Sequence, residues 1–534
     1  MLSALTRRWL RPRRASAPPA FEPELQAQVE AAFDAGFYLE RNPDVAAAGA
    51  DPLEHFLEHG WREGRDPSAA FPMADYLRLN PDVRQTGENP LLHYLTKGRA
   101  EGREVRPSLG FRHEILLRLE PLDDRLDILD TRRRAGPADP PARLAERLAG
   151  AGDLHLTVSH DDYTAHLGGL QLSLRREAAG LVALSFDHLH LFPATPYPTI
   201  RDGRPAELIG VLWNGEPVGY FAAADVARAF AAGPQAGRRS FALHSLLGHV
   251  VEDVLTILAA GGMHEGVFWL HDYAGLCAGF HLMRDDVADC GAPPPDSAAC
   301  GICVYGPHRG RHMEAFRRLF ESLSLTVVAP SRSALETWRG AVTLPHAGQR
   351  VLPHATLVRG RPAPAGTEGP LRVAYPGFPV AHKGWPVFEA LAARFAEDSR
   401  YRFLHVGRAN DRSGVEFHEA DGAIAERLAE LEVDVALVWP LCRETFGLIA
   451  YEAAAAGAAV VTHADTGNVA DFVRTEGPGL ILEDEAHLAR VFETGEILAL
   501  SRARREAKLY DLAFSALTAD LLAETLKPQA AAIS

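Results

Sequence analysis

From Asp153 onward, short apolar runs alternate with longer amphipathic segments, which is the pattern of strands and helices in a parallel α/β domain. The predicted strands read LHLTVSH (154–160), LVALSFDHLHLF (181–192), GVFWLHDY (266–273) and LTVVAPS (325–331). Asn214-Gly215 in IGVLWNGEPVGYF predicts a hairpin. SFALHSLLGHVVEDVLTILAAGG (240–262) predicts one amphipathic helix that ends at glycine.

The alternation restarts after a boundary near 345–370. The next predicted strands read LRVAYPG (371–377), YRFLHVG (401–407), DVALVWP (434–440) and AAVVTHA (458–464). We therefore expect two Rossmann-like α/β domains, at 151–350 and 351–505. LYDLAFSALTADLLAETL (509–526) predicts a helix in the last region, 506–534, that crosses back to the first domain before a tail. Ligands of such sheets bind at the carboxyl ends of strands, so the cleft between the domains is the expected site.

The region before these domains contains a repeat. Asn42-Pro43-Asp44-Val45 returns as Asn80-Pro81-Asp82-Val83, and His55 returns as His93, with a period of 38 residues. The pattern predicts a small all-α module at 21–107, in which each repeat has two short helices and a turn. A histidine repeated in this way is either a ligand or, as we expect, a packing residue. A basic disordered tail (1–20) and a linker (108–150) flank the module.

Composition limits the classes of partner and the location that the protein can have. The 534 residues contain 70 acidic and 55 basic side chains, for a formal net charge of −15. Such a balance disfavours a nucleic-acid partner. We expect a cytoplasmic protein, because no apolar run reaches the ~20 residues that span a bilayer. The basic tail and the repeats are candidate places for peripheral contact with the inner membrane face or with another protein.

Two carboxylates lie close together in CRETFGLIAYEAAAAGAAVVTHADTGN (442–468), where other charges are scarce. Thr445 is expected to cap a helix that begins at Phe446 and ends at Gly457. The amides of residues 445–448 would then be donors for phosphate oxygens. Glu444 at the helix mouth and Glu452 two turns inside would bind hydroxyl groups of the same ligand, such as those of a sugar or a ribose.

From Glu444, the pattern E-x-F-G-x-x-x-x-E-A-x-A-x-G-x-x-V-V resembles the nucleotide-sugar signature of family 4-type glycosyltransferases with the GT-B fold. The resemblance implies that Glu444 binds the transferred sugar and Glu452 the ribose. It assigns the diphosphate to the amides at Phe446, Gly447 and Leu448. DTGNV (465–469) occupies the position of a further donor loop in that family.

Other segments extend the resemblance. The Gly168-Gly169 loop, ahead of a helix that begins near Leu170, would approach the diphosphate. His271, followed by Asp272, would contact the sugar, although a purely structural His–Asp pair is the alternative. Lys383 matches the family's Lys-Gly segment, but Phe378 stands where an arginine is usual. Because a leaving diphosphate needs positive charge, Arg408 is a candidate substitute.

The implied function is transfer of a sugar from a nucleoside-diphosphate donor to a glycan or lipid-linked acceptor, in bacterial polysaccharide or cell-surface glycan synthesis. The resemblance also implies retention of configuration and no cofactor or metal for catalysis. Two alternatives remain open. Because of Phe378, the protein could be a non-catalytic scaffold that binds carbohydrate or nucleotide sugars, and other GT-B enzymes suggest a sugar-nucleotide epimerase.

Four of the five cysteines cluster in sequence, as Cys277, Cys290, Cys300 and Cys303. This spacing is compatible with a structural zinc site of four thiolates. Free or partly paired thiols are an alternative, and disulfides are disfavoured in a reducing cytoplasm. Cys442, beside the glutamate motif, is expected to be a small buried apolar residue.

Overall fold

The computed structural model describes residues 22–68, 70–105, 110–132, 136–233, 236–364, 366, 368–408, 415–420, 422 and 424–526. The basic tail predicted at 1–20 and the tail predicted after the last helix lie outside these residues. The chain divides into two compact units, Met1–His113 and Glu114–Ser534. Each unit is described by itself below.

The first unit consists of short helices in its described part. They are α1 (Pro23–Ala32), α2 (Ala35–Arg41), α3 (Pro43–Ala48), α4 (Pro52–His55), α5 (Met73–Leu79), α6 (Pro81–Thr86) and α7 (Pro90–His93). π-Helical turns, Phe56–Gly60 and Tyr94–Gly98, extend α4 and α7. Each repeat thus has three helices, and the prediction of two was wrong. Pro43 and Pro81 each begin a helix of their own, because proline is well accommodated at the first helical position.

The two repeats make equivalent contacts. The Tyr38 hydroxyl lies 3.0 Å from Nδ1 of His55, and the Tyr76 hydroxyl lies 2.9 Å from Nδ1 of His93. A Cβ at Gly60 would collide with the hydroxyl of Tyr38, so glycine is required where the π-helical turn passes this ring. These contacts support the packing role that we expect for the repeated histidines.

Three helices follow, in the segment that the sequence predicts to be a linker. They are α8 (Gly110–Leu117), α9 (Leu122–Thr131) and α10 (Ala142–Ala149). Leu144 and Leu148 of α10 are buried in the core of the first α/β domain. Leu122 and Leu126 of α9 pack against Tyr197 of the same domain. Most of this segment is therefore helical and packed on the first α/β domain rather than an open linker. Its leucines recur with helical spacing on a buried face.

The first α/β domain is built on a mixed sheet. Its elements are β1 (Asp153–Val158), α11 (Gly169–Ala183), β2 (Phe186–Pro193), β3 (Ile209–Trp213), β4 (Glu216–Phe221), α12 (Ala223–Ala232), β5 (Arg239–Leu243), α13 (Val251–Ala260), β6 (Glu265–Trp269), β7 (Met283–Arg284), β8 (Ala288–Asp289), α14 (Ala298–Gly301), α15 (Gly306–Ser322), β9 (Ser324–Ala329), α16 (Arg332–Ala341) and β10 (Gly348–Val351). The strand order is β10-β9-β6-β5-β1-β2-β3-β4. The pairs from β10 to β2 are parallel, and β3 and β4 are added antiparallel.

Strand β11 (Ala355–Pro362) leads into the second α/β domain. This domain contains β12 (Leu371–Pro376), a 3₁₀ turn (Ala381–Lys383), α17 (Trp385–Arg394), β13 (Tyr401–Gly407), β14 (Glu416–Glu419), α18 (Ile424–Glu430), β15 (Val435–Leu437), α19 (Leu448–Ala455), β16 (Ala459–His463), α20 (Asn468–Thr475), β17 (Gly479–Leu482), α21 (Glu485–Thr494), a second 3₁₀ turn (Glu496–Leu500), β18 (Lys508–Phe514) and α22 (Thr518–Leu526). Its sheet is parallel, in the order β14-β13-β12-β15-β16-β17.

Two predicted helices are wrong in part. The segment 240–262 begins inside strand β5, and only its second half is helical, as α13. Gly248, with φ of +80°, turns the chain between them and lies against Pro193. The segment 509–526 likewise begins inside strand β18, which pairs antiparallel with β11. Only α22 is helical, and it packs on α11 of the first domain, where Ala519 lies against Gly180.

The predicted hairpin at Asn214-Gly215 is present, with φ of +51° and +86° at its two central residues. Each domain has an apolar core in which the central strands are almost wholly buried. None of the helices in the described ranges combines the length and apolar character needed to cross a bilayer.

Carboxyl ends of strands in both sheets open onto one cavity. His271 follows β6, Gly377 follows β12 and Arg408 follows β13, and all three line that cavity. Two Rossmann-like domains thus face a cleft, with a small helical module ahead of them in sequence. This confirms the fold class expected for a GT-B protein.

Candidate functional site

The cavity between the two α/β domains has a volume of about 950 Å³. Every residue that the sequence predicts for donor binding or catalysis lines it. These are Gly168, Gly169, His271, Lys383, Arg408, Glu444, Thr445, Phe446, Gly447, Leu448 and Glu452. The structure therefore brings together side chains from loops that are far apart in sequence.

Lys383 and Glu444 both line the cavity and form an ion pair, with Nζ 2.6 Å from Oε1. Lys383 ends a 3₁₀ turn, and Gly384 follows it with φ of +87°. A Cβ at Gly384 would collide with the carbonyl of Trp439, so only glycine lets this turn approach the end of β15. Burial works to lower the pKa of Lys383, but the charge of Glu444 outweighs it and leaves the pKa raised. The lysine is therefore a cation at the cavity wall.

The loop 442–447, here called the donor loop, is held by its neighbours on both sides. The Glu444 amide donates to the Thr466 carbonyl at 3.2 Å, and the Asn468 amide donates to the Glu444 carbonyl at 3.1 Å. Gly467, with φ of +62°, lies so close that a Cβ would be 2.6 Å from the Glu444 carbonyl oxygen. The predicted second donor loop, 465–469, thus positions the backbone of Glu444.

Helix α19 begins at Leu448, after Gly447 with φ of +75° as its N-cap. The prediction that Thr445 caps a helix from Phe446 is therefore wrong. The Thr445 hydroxyl instead donates to the carbonyl of His271 at 2.8 Å. Gly447 interrupts the helical path because left-handed backbone is compatible with glycine but not with a continuing helix. The first amides of α19, starting at Leu448, still lie at the cavity as donors without intrahelical partners.

Glu452 lies inside α19 and is only 9% exposed. Burial raises the pKa of its carboxyl to about 7, although the positive charge of Arg176 works in the opposite direction. Arg176 belongs to α11, in the other domain, and its guanidinium lies 3.6 Å from the centre of the Phe514 ring. The cationic neighbour of Glu452 was not predicted, because Arg176 is one of two adjacent arginines in an ordinary helix.

His271 bonds to two other histidines rather than to Asp272. Its Nε2 lies 2.8 Å from Nδ1 of His244, and its Nδ1 lies 3.2 Å from Nε2 of His354. Asp272 accepts hydrogen bonds from the amide of Ala274 and the hydroxyl of Ser245. Burial raises the pKa of Asp272. The His–Asp pair considered from the sequence is thus absent, and both ring nitrogens of His271 have protein partners.

Phe378 lines the cavity with 59% of its surface exposed, so the position where an arginine is usual contributes no charge. Arg408, the proposed substitute, lines the same cavity. Arg125 and Arg443 also line it and were not predicted. Their guanidinium groups pair with carboxylates of residues 277–303, here called the cysteine-rich segment. Arg125 pairs with Asp286 at 3.4 Å, and Arg443 pairs with Asp289 at 2.8 Å.

The four clustered cysteines surround a second cavity, of about 90 Å³. They are free thiols, and Nη1 of the buried Arg309 lies 2.9 Å from Sγ of Cys300. Burial raises the pKa of Cys277 to about 11, which disfavours its thiolate. Within the ranges that the structure describes, no group of three or more His, Cys, Asp or Glu side chains is arranged to hold a metal ion. The structural zinc gains no support from this geometry and stays a prediction.

Cys442 is buried, as expected, and its thiol lies 3.7 Å from the carbonyl of His382. His382 also faces the other domain, where its ring lies 4.5 Å from that of His281. Ser331 adds a further contact between the domains, since its hydroxyl donates to the Thr445 carbonyl at 2.6 Å. The donor loop is therefore held from both sides of the cleft.

No family model matches the chain, and no curated protein matches it. Solved structures of GT-B glycosyltransferases are similar to it. A sucrose-phosphate synthase from Thermosynechococcus elongatus is 16% identical, with a TM-score of 0.42, over 66% of this chain and 91% of that one. HepE from Anabaena, solved with UDP and glucose, is 13% identical, with a TM-score of 0.41, over 70% and 98%. The pneumococcal O-GlcNAc transferase GtfA, solved with UDP and GlcNAc, is 9% identical, with a TM-score of 0.42, over 66% and 94%.

Proposed function

We propose that this protein transfers a sugar from a nucleoside-diphosphate sugar to a hydroxyl group of an acceptor. The observation that carries the proposal is the grouping of a lysine ammonium, two carboxylates and a helix N-terminus around one cavity. Lys383, Glu444, Glu452 and the start of α19 supply these groups. An anion site beside acceptors of hydroxyl hydrogen bonds fits a ligand that has both phosphates and sugar rings.

Each group has a separate role in the proposal. The Lys383 ammonium has three donors, of which one bonds Glu444, so two remain for diphosphate oxygens. The first amides of α19 add neutral donors to the same phosphates, and together they stabilise the charge that develops as the diphosphate leaves. Glu444 accepts hydrogen bonds from hydroxyls of the transferred sugar, and Glu452 accepts them from the ribose. Arg408 supplies the second positive charge.

The assignment of the acceptor, the pathway and the stereochemistry rests on the family resemblance. We propose a glycan or lipid-linked acceptor, in bacterial polysaccharide or cell-surface glycan synthesis, with retention of configuration. We also propose that the chemistry needs no metal, because Lys383 and the helix amides take its place at the diphosphate. A cytoplasmic location, with peripheral contact through the tail and the repeats, completes the proposal.

The test is a turnover assay with UDP-glucose, UDP-N-acetylglucosamine, ADP-glucose and GDP-mannose. Release of nucleoside diphosphate is followed by mass spectrometry, with and without short glycan acceptors. We expect release with at least one donor, loss of that release in Lys383→Ala, and retention in the matched control Lys508→Ala, whose lysine is exposed on β18. Isomerisation of the donor without release of nucleotide would instead favour an epimerase.

A non-catalytic sugar-nucleotide scaffold is the second candidate, and the exposed Phe378 is the observation that favours it. A scaffold binds the donor with both carboxylates but lacks the second cation near the diphosphate. Binding of a donor by wild type without any turnover supports the scaffold. Phe378→Arg then discriminates further, since gain of turnover in this variant identifies the missing charge as the cause.

A further inference from the structure

Apolar side chains of α9 and of the first α/β domain line one part of the cavity. We call them the apolar wall, and its members are Leu129, Tyr197, Pro198, Leu247 and Phe280. Leu129 belongs to α9, Tyr197 and Pro198 follow β2, Leu247 follows β5, and Phe280 lies between β6 and β7. Four segments that are far apart in the sequence therefore contribute to the apolar wall.

Tyr197 joins two of these segments. Its ring lies in one apolar cluster with Ala278, and Leu129 packs against the same cluster. Phe280 lies two positions after Ala278 in the sequence. The guanidinium of Arg201 lies 3.9 Å from the centre of the Tyr197 ring, so this ring also has a cationic neighbour. The protein thus holds Tyr197 in place from behind, and the apolar wall does not depend on a ligand for its position.

The backbone holds the other two segments together. The amide of Gly248 donates to the carbonyl of Thr199 at 2.8 Å. Gly248 also lies so close to Pro193 that a Cβ would be 2.6 Å from the proline ring. Leu247 and Pro198 are the sequence neighbours of the two hydrogen-bonded residues, so this contact fixes both of them at the cavity.

The apolar wall offers few polar partners to a ligand. Leucine, proline and phenylalanine side chains have no hydrogen-bonding groups, so a hydroxyl placed against them would lose its bonds to water without replacement. Arg125 lies one turn before Leu129 on α9 and also lines the cavity. Its Nη1 lies 3.4 Å from Oδ2 of Asp286 and 3.4 Å from the hydroxyl of Tyr305. The carboxylate offsets the charge of Arg125, which makes an apolar ligand group the better match.

Apolar surface remains exposed along the cavity. Leu129, Pro198 and Phe280 are partly exposed, and two further lining residues, Leu167 and Phe378, are exposed by 38% and 59%. Covering such surface with an apolar group is favourable, because water is released from both partners. Exposed apolar side chains that share one cavity are therefore typical of a site for an apolar ligand group.

The apolar wall leads to the ion pair of the second domain. The centre of the Phe280 ring lies 4.0 Å from that of His281, and the His281 ring lies 4.5 Å from that of His382. His382 precedes Lys383, whose ammonium pairs with Glu444. A ligand group on the apolar wall can therefore be continuous with a group that reaches the proposed donor site.

The donor does not account for the apolar wall. In the proposed function, Lys383, Glu444 and Glu452 hold the donor, and all three belong to the second domain. We propose that the acceptor carries a hydrocarbon chain that lies against the apolar wall, so that the acceptor is lipid-linked. The two leucines and the proline have no aromatic face, which favours an aliphatic chain over an aromatic group. The inference rests on the proposed function, because it names the class of its second substrate.

The first experiment measures binding of hydrocarbon chains without a donor. Titration calorimetry is performed with methyl, butyl, hexyl and octyl β-glucoside, each below the concentration at which it forms micelles. We expect affinity to rise with chain length, by up to about fourfold per methylene and at least about tenfold from methyl to octyl. Phenyl β-glucoside is the aromatic comparison for the hexyl compound. An octyl compound that binds no more tightly than the methyl compound, or a phenyl compound that binds more tightly than the hexyl compound, overturns the proposal.

The second experiment tests whether the chain lies on the apolar wall. We expect Leu129→Ser to weaken binding of octyl β-glucoside about threefold to tenfold, and Leu129→Met to retain most of the wild-type affinity. Val182→Ser is the matched control, because Val182 is 52% exposed on α11 and is not part of the cavity lining that the structure describes. Phe280→Ala should act like Leu129→Ser and replaces it if thermal unfolding shows that Leu129→Ser does not fold. Octyl binding that neither substitution changes overturns the proposal.

Donor binding separates this inference from the proposed function. UDP-glucose, ADP-glucose and GDP-mannose are titrated into wild type, and turnover of any donor that binds is measured with methyl and octyl glycosides as acceptors. We expect a KM at least about tenfold lower for the octyl acceptor. Equal KM values for the two acceptors overturn the hydrocarbon chain and leave the proposed function intact. A wild type that binds no donor contradicts the proposed function and the name acceptor, while the chain-length series still decides whether the apolar wall binds hydrocarbon.

Discussion

Lys383 and Glu444 are 61 positions apart in the sequence, and their side chains meet at 2.6 Å inside the cavity. Lys383 retains 42% side-chain exposure and Glu444 only 14%, so the lysine faces the cavity while the carboxylate is held beneath it. An ion pair in which the cation is still partly exposed contributes little to stability. In the proposed function, this pair beside the N-terminus of α19 places a cation for phosphate and an acceptor for hydroxyls within reach of one ligand.

Lys383→Ala should therefore reduce donor affinity more than it reduces stability. We expect a loss of roughly tenfold to a hundredfold in affinity for a nucleoside diphosphate, because the variant removes a charge-assisted contact to phosphate. Isothermal titration calorimetry measures the loss, and Lys508→Ala on the exposed face of β18 is the matched control. Equal affinities in the two variants would show that Lys383 does not contact the diphosphate.

Glu452 should destabilise the protein at neutral pH. Its native pKa, about 7, lies above the ordinary value of 4.5, so the unfolded chain loses this proton first as pH rises. Stability is then lost between pH 4.5 and 7 and levels off above. Glu452→Gln should be more stable than wild type at pH 8, by on the order of 3 kcal/mol, with little difference near pH 4.

The same substitution should weaken donor binding, since a carboxylate accepts hydroxyl hydrogen bonds more strongly than an amide does. Thermal unfolding from pH 4 to pH 8 and nucleotide titrations measure the two effects. The control is Glu430→Gln, whose exposed carboxylate on α18 pairs with Arg427. A Glu452→Gln variant that binds the donor like wild type would exclude the ribose contact.

Asp289 should support the donor loop from the cysteine-rich segment. Its ion pair with Arg443 joins that segment to the residue before Glu444. Asp289→Asn leaves a partly buried guanidinium without its counter-charge, so we expect a several-fold rise in KM for the donor and a lower kcat. Asp296→Asn, an exposed change in the same segment, is the control. Unchanged steady-state kinetics in Asp289→Asn would mean that the loop holds its position without this pair.

Gly60 should be sensitive to any side chain. A Cβ there would collide with the Tyr38 hydroxyl that bonds His55, so Gly60→Ala should destabilise the first unit by about 1–3 kcal/mol. Gly36→Ala is the control, because a Cβ at Gly36 would lie 3.4 Å from its nearest neighbour, within the helical α2. Hydrogen exchange in α2 and α4 measures both variants. Equal protection in the two would show that the repeat does not depend on this contact.

The position of residues 444–452 at the cavity could be predicted because their pattern is local. Glu444, Gly447 and Glu452 lie within nine consecutive positions. The glycine, the carboxylates and the apolar residues between them each have a different structural role there. The exact start of α19 could not be predicted. It depends on Gly447 in a left-handed conformation packed against Val469, which lies in another segment.

The contacts of His271 with His244 and His354 could not be predicted from the sequence. His244 and His354 are 110 positions apart, and each is a single histidine in an apolar setting. The sequence also predicts a helix around His244, because SFALHSLL fits a helical pattern as well as a strand. The helix predicted at 509–526 is wrong at its start for the same reason, since LYDLAF becomes a strand only through its pairing with β11.

The most direct test of the account is the affinity of purified protein for nucleoside diphosphates and their sugar conjugates. Titration calorimetry with UDP, ADP, GDP and the sugar donors is performed on wild type, Lys383→Ala and Glu452→Gln. The account predicts that wild type binds at least one of them at a single site and that each substitution weakens this binding at least about tenfold. Binding to none of them, or binding that neither substitution changes, would contradict it.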